Sequence, residues 1–202
     1  MTTIEPTETT SGAAGAGAAG ALGATARGTT AADVLRAHIR DVTDFPQPGV
    51  VFKDITPLLV TPAAFTVVIN ELAATAGGYG ATVVAAIEAR GFLLAAPVAY
   101  RTGVGVVPIR KQGKLPGETV SRTYDLEYGT ATLEVQADAF RPGDRVLLVD
   151  DVLATGGTAA AAAELVRQSG AEVVGLAVLM ELTFLSGRDR LAPLEISSIM
   201  EV

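Results

Sequence analysis

Past residue 30 the apolar positions fall into two alternating patterns. Residues 82–87, 103–109, 145–149 and 171–180 are apolar almost without interruption. A strand that lacks polar alternation is buried on both faces, so these four runs predict core strands. Residues 31–40, 62–76, 91–101 and 157–169 carry mixed apolar and polar positions and predict helices. Residues 44–57 hold Pro46, Pro48, Gly49 and Pro57 and predict an extended, turn-rich segment. Residues 110–122 combine charge, Gly and Pro without periodicity and predict a loop. Residues 124–128 and 132–136 flank Gly129 and predict a hairpin. Strands that alternate with helices imply an α/β fold, a mainly parallel sheet flanked by helices. Such a sheet binds ligands at the carboxyl ends of its strands, near a topological switch point. The chain shows no internal repeat.

Before residue 31 the pattern is absent. Gly, Ala, Ser and Thr fill 23 of the first 30 positions. That composition buries too little apolar surface to offset its ordering entropy. The expectation is a disordered tail over 1–30 and a single domain over 31–202. Gly15, Gly17 and Gly20 spell G-x-G-x-x-G, but no strand precedes them, so a dinucleotide-binding reading lacks its context. Glu5 and Glu8 stand where a secretory signal needs cations.

Composition removes several kinds of chemistry. There is no Cys, hence no thiolate metal site and no cysteine nucleophile. The single His, His38, reads as a surface helix residue, and one His argues against both a His-rich zinc site and a Ser-His-Asp triad. No apolar run reaches the ~18 residues of a membrane-spanning helix, so no membrane association is expected. The 15 Lys and Arg against 22 Asp and Glu give a net charge of −7, poor for binding nucleic acid. An anionic ligand would therefore need a local basic cluster.

One stretch carries most of the chemistry: R-V-L-L-V-D-D-V-L-A-T-G-G-T, from Arg145 to Thr158. An apolar strand runs into two acids, and a short Gly/Thr loop then opens a helix. Gly156 and Gly157 allow close backbone approach. Unpaired N–H groups at the helix start sit at the positive end of its dipole. Ala154, Thr155, Gly156, Gly157 and Thr158 together make a cradle for one phosphate. No Lys follows the glycines, so this is not the loop of nucleoside triphosphatases. Asp150 and Asp151 suit the vicinal hydroxyls of a ribose, whose hydrogen bonds a carboxylate accepts.

This stretch resembles the donor-binding signature of the type I phosphoribosyltransferases. Four further segments resemble the adenine phosphoribosyltransferase family. They are F-P-Q-P-G-V-V-F-K-D-I-T-P-L-L from Phe45, E-A-R-G-F from Glu88, R-K-Q-G-K-L-P-G from Arg110 and Y-D-L-E-Y-G from Tyr124. The resemblance runs in order from about His38 to Val202, and no added C-terminal domain is expected. It implies the type I phosphoribosyltransferase fold, with a small hood and a flexible loop or hairpin. It also implies transfer of the phosphoribosyl group of 5-phosphoribosyl 1-pyrophosphate to adenine, giving AMP and pyrophosphate in purine salvage. It further implies Mg2+ carried by the donor, with no direct metal site on the protein and Asp150 and Asp151 as the one candidate route of contact.

By the same resemblance Arg90, Arg110, Lys111 and Lys114 meet the pyrophosphate, the last three on a mobile lid. Val51, Phe52 and Lys53 form the adenine pocket, Glu127 is the catalytic carboxylate, and Tyr128 positions the donor. Some relatives carry Ser at the position of Ala89, which has no hydroxyl to offer. A cytoplasmic homodimer is the family expectation. Two other readings share the donor site: a phosphoribosyltransferase for hypoxanthine, xanthine or orotate, and a non-enzymatic regulator that senses the donor.

Overall fold

The structure, a computed structural model, describes residues 29–125 and 129–202. The expected tail and its glycine motif lie outside the described residues up to residue 28. Thr30 does not belong with them. It is the N-cap of α1 (Ala31–Ala37), in a reciprocal capping box with Asp33. The signal, Thr three residues before an acid at a helix start, was present in the sequence.

A seven-stranded sheet forms the centre, in the order β5-β6-β4-β3-β7-β8-β9. Its members are β3 (Val83–Ile87), β4 (Gly105–Lys111), β5 (Thr119–Asp125), β6 (Thr130–Gln136), β7 (Arg145–Leu153), β8 (Glu172–Glu181) and β9 (Ile196–Glu201). From β4 through β9 the pairings are parallel, whereas β6 joins β4 and β5 antiparallel. Side chains alternate between the two faces. Val84, Ala86, Leu147, Val149, Ala177 and Leu179 pack on one side with α3 (Pro62–Gly78) and α4 (Gly91–Thr102). Ala85, Ile87, Val146, Leu148, Leu176 and Val178 pack on the other with α5 (Gly157–Gln168). Both faces of the central strands are therefore core, as their unbroken apolar runs require. After β3 the chain steps outward to β4, while β7 lies on the opposite side of β3. The carboxyl ends of β3 and β7 thus form the switch point.

Several elements depart from the pattern-based expectation. The run at 103–109 is a strand, but not a buried one: Val106 is 45% exposed. β4 pairs with β6 only at Arg110 and Lys111, so its earlier residues form a bare sheet edge. The expected loop at 110–122 is largely strand. Arg110 and Lys111 end β4, and β5 begins at Thr119, because Thr and Val pair well across a ladder even without an apolar run. The first helix stops at Ala37, and Arg40–Thr43 (β1) pairs antiparallel with Val51–Asp54 (β2) to form a separate ribbon over the switch-point end. A one-turn helix, α2 (Thr56–Leu59), closes that segment, with Pro57 near its start, where a missing N–H is harmless. β9 and the 3-10 turns Thr183–Leu185 and Asp189–Leu191 were not expected. Ser197 and Ser198 break the apolar pattern of β9, which forms one edge of the sheet.

Candidate active site

β7 delivers Asp150 and Asp151 to the switch point, and the chain turns through residues 154–156 into α5. Gly156 is the N-cap in the left-handed conformation, φ 78°, and no side chain caps the helix. The first N–H groups of α5 are therefore open to a ligand. A cavity of about 80 Å3 lies there, lined by Asp150, residues 152–159, Leu176 and Val178. Thr158 also bonds the Tyr124 hydroxyl at 3.1 Å, which ties the cradle to β5. Arg122 adds an ion pair to Glu164 of α5 at 2.8 Å.

The acids are set apart by their neighbours. Asp151 is only 4% exposed. Its Oδ2 faces Arg90 Nη1 at 2.9 Å, yet makes no aligned hydrogen bond among the described residues. The adjacent Asp150 accepts the Asp151 N–H at 2.9 Å. Burial, reinforced by the charge of Asp151, pushes the Asp150 carboxyl well above its ordinary range. Burial also raises Asp151, against the pull of Arg90. Gly91 makes this approach possible, since a Cβ there would meet the Val149 carbonyl oxygen at 2.7 Å and Asp150 Oδ1 at 3.2 Å.

Arg90 links the acids to the ribbon. It follows β3, with its guanidinium 4.7 Å from the Phe52 ring centre and Nη1 donating to the Lys53 carbonyl at 3.1 Å. Phe52 in turn meets Phe45 edge-on at 5.1 Å. Val51, beside it, is exposed, and Lys53 Nζ is paired with Asp41 at 2.8 Å. The Phe52 ring and the Lys53 backbone thus come within reach of the acid pair through one arginine.

A larger cavity, about 380 Å3, adjoins the cradle and is walled by Arg90, Lys111, Tyr124, Asp150, Asp151 and Thr158 among others. Two of the four expected pyrophosphate cations, Arg90 and Lys111, line it. Arg110 alternates to the other side of β4 and pairs with Glu88 through two contacts of 3.2 Å. Burial pushes Glu88 up, but the Lys111 N–H at 2.9 Å and Arg110 outweigh it, and the carboxyl stays below its ordinary range. Lys114 is exposed in the turn between β4 and β5. Glu127 and Tyr128 lie outside the described residues. The strands on either side bring Tyr124 and Ala131 to the cavity wall. Sequence reasoning missed Tyr124 and Gly91 as site-builders. Both stand inside motifs already noticed, Y-D-L-E-Y-G and E-A-R-G-F.

A helix start with open N–H groups, an acid pair beside it and an adjoining cavity lined by cations and carboxylates thus lie together at the switch point. The phosphoribosyl transferase domain family matches residues 62–195. A curated adenine phosphoribosyltransferase from Frankia casuarinae is 71% identical over 171 residues, 85% of this chain and 91% of that protein. The crystal structure of adenine phosphoribosyltransferase from Thermoanaerobacter pseudethanolicus superposes with TM-score 0.81 at 50% identity, covering 83% of this chain and 98% of that one. The enzyme from Saccharomyces cerevisiae, solved with an imino-altritol bisphosphate and adenine, gives TM-score 0.80 at 37% identity over 84% of this chain and 98% of its own. This chain belongs to the phosphoribosyltransferases and, within them, to the adenine phosphoribosyltransferase family.

Proposed function

We propose that the protein transfers the phosphoribosyl group of 5-phosphoribosyl 1-pyrophosphate to N9 of adenine, releasing AMP and pyrophosphate. The observation that carries the proposal is the uncapped Gly156 helix start beside Asp150 and Asp151, opening into the larger cavity. The names of the relatives supply the base.

The 5′-phosphate takes the backbone N–H groups at the start of α5. Asp150 and Asp151 accept the ribose hydroxyls and hold C1′ toward the larger cavity. Arg90 and Lys111 meet the pyrophosphate, joined by Lys114 as the β4–β5 turn folds over, and by Arg110 if it leaves Glu88. Phe52 stacks on the base, and the backbone of Val51 and Lys53 reads its edge. As the bond from C1′ to the pyrophosphate oxygen breaks, positive charge builds on the ribose and N9 sheds its proton. Glu127 stabilises that charge and takes the proton, and Tyr128 steadies the donor. Water exclusion protects the donor from hydrolysis.

The donor set fits Mg2+. Asp151 Oδ2 is buried without a hydrogen bond among the described residues, and Asp150 stands beside it. Mg2+ favours one or two carboxylates completed by water and substrate oxygens. Bound there, it would neutralise charge on the donor's phosphates.

No described helix is long and apolar enough to cross a membrane. The donor is highly charged and does not cross membranes, so the proposal sets the reaction in the cytoplasm. A homodimer completes it. Leu93 and Tyr100, two turns apart on α4, are exposed together with Val106 on the bare edge of β4, and a second copy would cover them.

The test is pyrophosphate release from the donor with a panel of bases. Adenine should exceed hypoxanthine by ~10⁴ or more, because a site built for the 6-amino edge leaves its buried acceptor unpaired against an oxo group. Comparable rates would overturn the adenine assignment. Light scattering of the full chain checks the dimer.

A further inference from the structure

Behind the phosphate cradle two chain segments touch backbone to backbone. The chain leaves β8, passes through the turn Thr183–Leu185 and runs beneath residues 154–156 before entering the turn Asp189–Leu191. A Cβ on Gly187 would stand 2.0 Å from the Ala154 carbonyl oxygen and 3.0 Å from the Gly156 nitrogen. A Cβ on Gly156 would stand 2.5 Å from the Gly187 carbonyl oxygen. Gly187 is not among the left-handed glycines, so space alone excludes a side chain there. Ser186, just before it, holds φ 50°, a left-handed conformation rare for a residue with a Cβ. An energetically unfavourable turn, placed against a binding loop, persists when its surroundings over-determine it.

Arg188 supplies that determination. Nε and Nη2 both reach the Glu181 carboxylate, at 3.1 and 2.5 Å, and Nη1 donates to the Ile196 carbonyl at 3.2 Å. Glu181 is the last residue of β8 and is buried. One guanidinium thus pins the 186–188 turn to two neighbouring strands. The Leu182 N–H, bonded to the Leu153 carbonyl at 2.9 Å, ties the same segment to the end of β7. Neither Gly187 nor Arg188 lines the cradle cavity.

We infer that Gly187 and Arg188 are positioning residues for the donor: the Arg188-pinned turn presses Gly187 against Ala154 and Gly156 and fixes the direction of the cradle's N–H groups. This rests on reading the cradle as the 5′-phosphate site. The cost of losing it is geometric. A shift of 1 Å in a binding group can reduce a rate by about 10²-fold, and a Cβ at Gly187 demands a shift of that order.

The experiment uses the full chain and titrates ribose 5-phosphate by calorimetry, alongside steady-state kinetics. In Gly187→Ala the affinity for ribose 5-phosphate should fall by about tenfold or more and the donor KM should rise with it. The adenine KM should stay within about twofold, because Phe52 and the ribbon are untouched. Arg188→Lys keeps the charge but gives up the planar fork, and should weaken ribose 5-phosphate by about three- to tenfold. It decides the matter where Gly187→Ala does not fold. Affinity for ribose 5-phosphate within about 1.5-fold of the parent in folded Arg188→Lys overturns the inference. So does a uniform loss in which both KM values and the melting temperature move together. A parent that binds ribose 5-phosphate but transfers nothing to adenine defeats the proposed reaction and leaves the buttress standing. A parent that does not bind ribose 5-phosphate defeats both.

Discussion

The cradle at the start of α5 offers a ligand main-chain N–H groups backed by core, whereas the β1–β2 ribbon offers side chains held by surface charge. Around the cradle, Leu148, Val149 and Leu153 are buried, and Gly187 presses from behind. In the ribbon, Arg40 pairs with Asp54 and Lys53 with Asp41 near the surface. Asp54 shows the local character of that order. Hydrogen bonds from Thr56, and then from Arg40, lower its carboxyl to about 2. A cradle seated on core and on a backbone contact loses its geometry when a side chain there is exchanged, whereas a ribbon held by surface ion pairs can be retuned by one exchange. On the proposed function the cradle is the donor half, suited to being shared among reactions, and the ribbon the base half, suited to being varied. Arg90 is where they meet, with Asp151 on one side and Phe52 on the other.

The largest effect should come from the proposed catalytic carboxylate, Glu127. Glu127→Gln keeps size and hydrogen bonding but removes charge and basicity. Turnover should fall by ~10²–10⁴-fold, with ribose 5-phosphate affinity nearly unchanged. A fully active variant would move proton handling to another group and leave the two-half description intact.

Asp150→Asn tests the donor half and couples its function to its stability. Affinity for the donor should fall by about 10–100-fold, the worth of hydrogen bonds to a charged acceptor. The melting temperature at neutral pH should rise. Burial raises the folded carboxyl above its ordinary 3.8, so the folded state holds the proton more tightly than the unfolded chain. Stability is then lost as pH climbs from about 3.8 through the raised value. Asn carries no such penalty, so its advantage should vanish below about pH 3.8. A variant that melts lower than the parent at pH 7 would show that the charge supports the fold.

Phe52→Ala tests the base half alone. It removes the stacking face and the cation–π contact with Arg90, the latter worth about 0.5–2 kcal/mol. The adenine KM should rise by about three- to tenfold, with the donor KM within about twofold. Equal rises in both would mean that Arg90 loses its position for the donor when Phe52 goes, and would dissolve the separation of the halves.

The same division explains what could be read from sequence. The donor half is local: strand, acids, glycines and helix follow one another from Arg145 to Thr158, so contiguous residues specify it. The parallel core was legible for the same reason, since Val84 and Ala85 or Leu147 and Leu148 need no partner to announce burial on both faces. The ribbon was not. Arg-Asp-Val-Thr at 40–43 has no strand pattern, and becomes β1 only because Arg40 and Asp41 meet Asp54 and Lys53 across the ladder. The pairing of Arg110 with Glu88 was likewise invisible, because strand alternation separates Arg110 from Lys111 only once β4 is known to extend through both. Gly187 carried no motif at all, and its meaning lies in a contact with Ala154 some thirty residues away.

The smallest effect should appear where α1 meets the ribbon, and it separates tail from fold. The composition of residues 2–28 offers no core-forming or catalytic side chain in any number, so their deletion should leave both KM values and turnover within about twofold. Thr30 is different. Its hydroxyl accepts the Asp33 N–H at 3.2 Å, and its own N–H donates to Asp33 Oδ2 at 3.0 Å. α1 packs on α3 and β9 and continues through His38 into β1, so the ribbon depends on it through the chain. Thr30→Ala should lower stability by about 0.5–2 kcal/mol. For a domain of this size that is a fall of about 2–4 °C in melting temperature per kcal/mol. Ribose 5-phosphate affinity should not change in either variant, and any kinetic trace of Thr30→Ala should fall on the adenine KM. A truncation that spares Thr30 yet loses most of its activity would assign the first 28 residues a place in the site. A Thr30→Ala variant that weakens ribose 5-phosphate would show that the donor half leans on the ribbon after all.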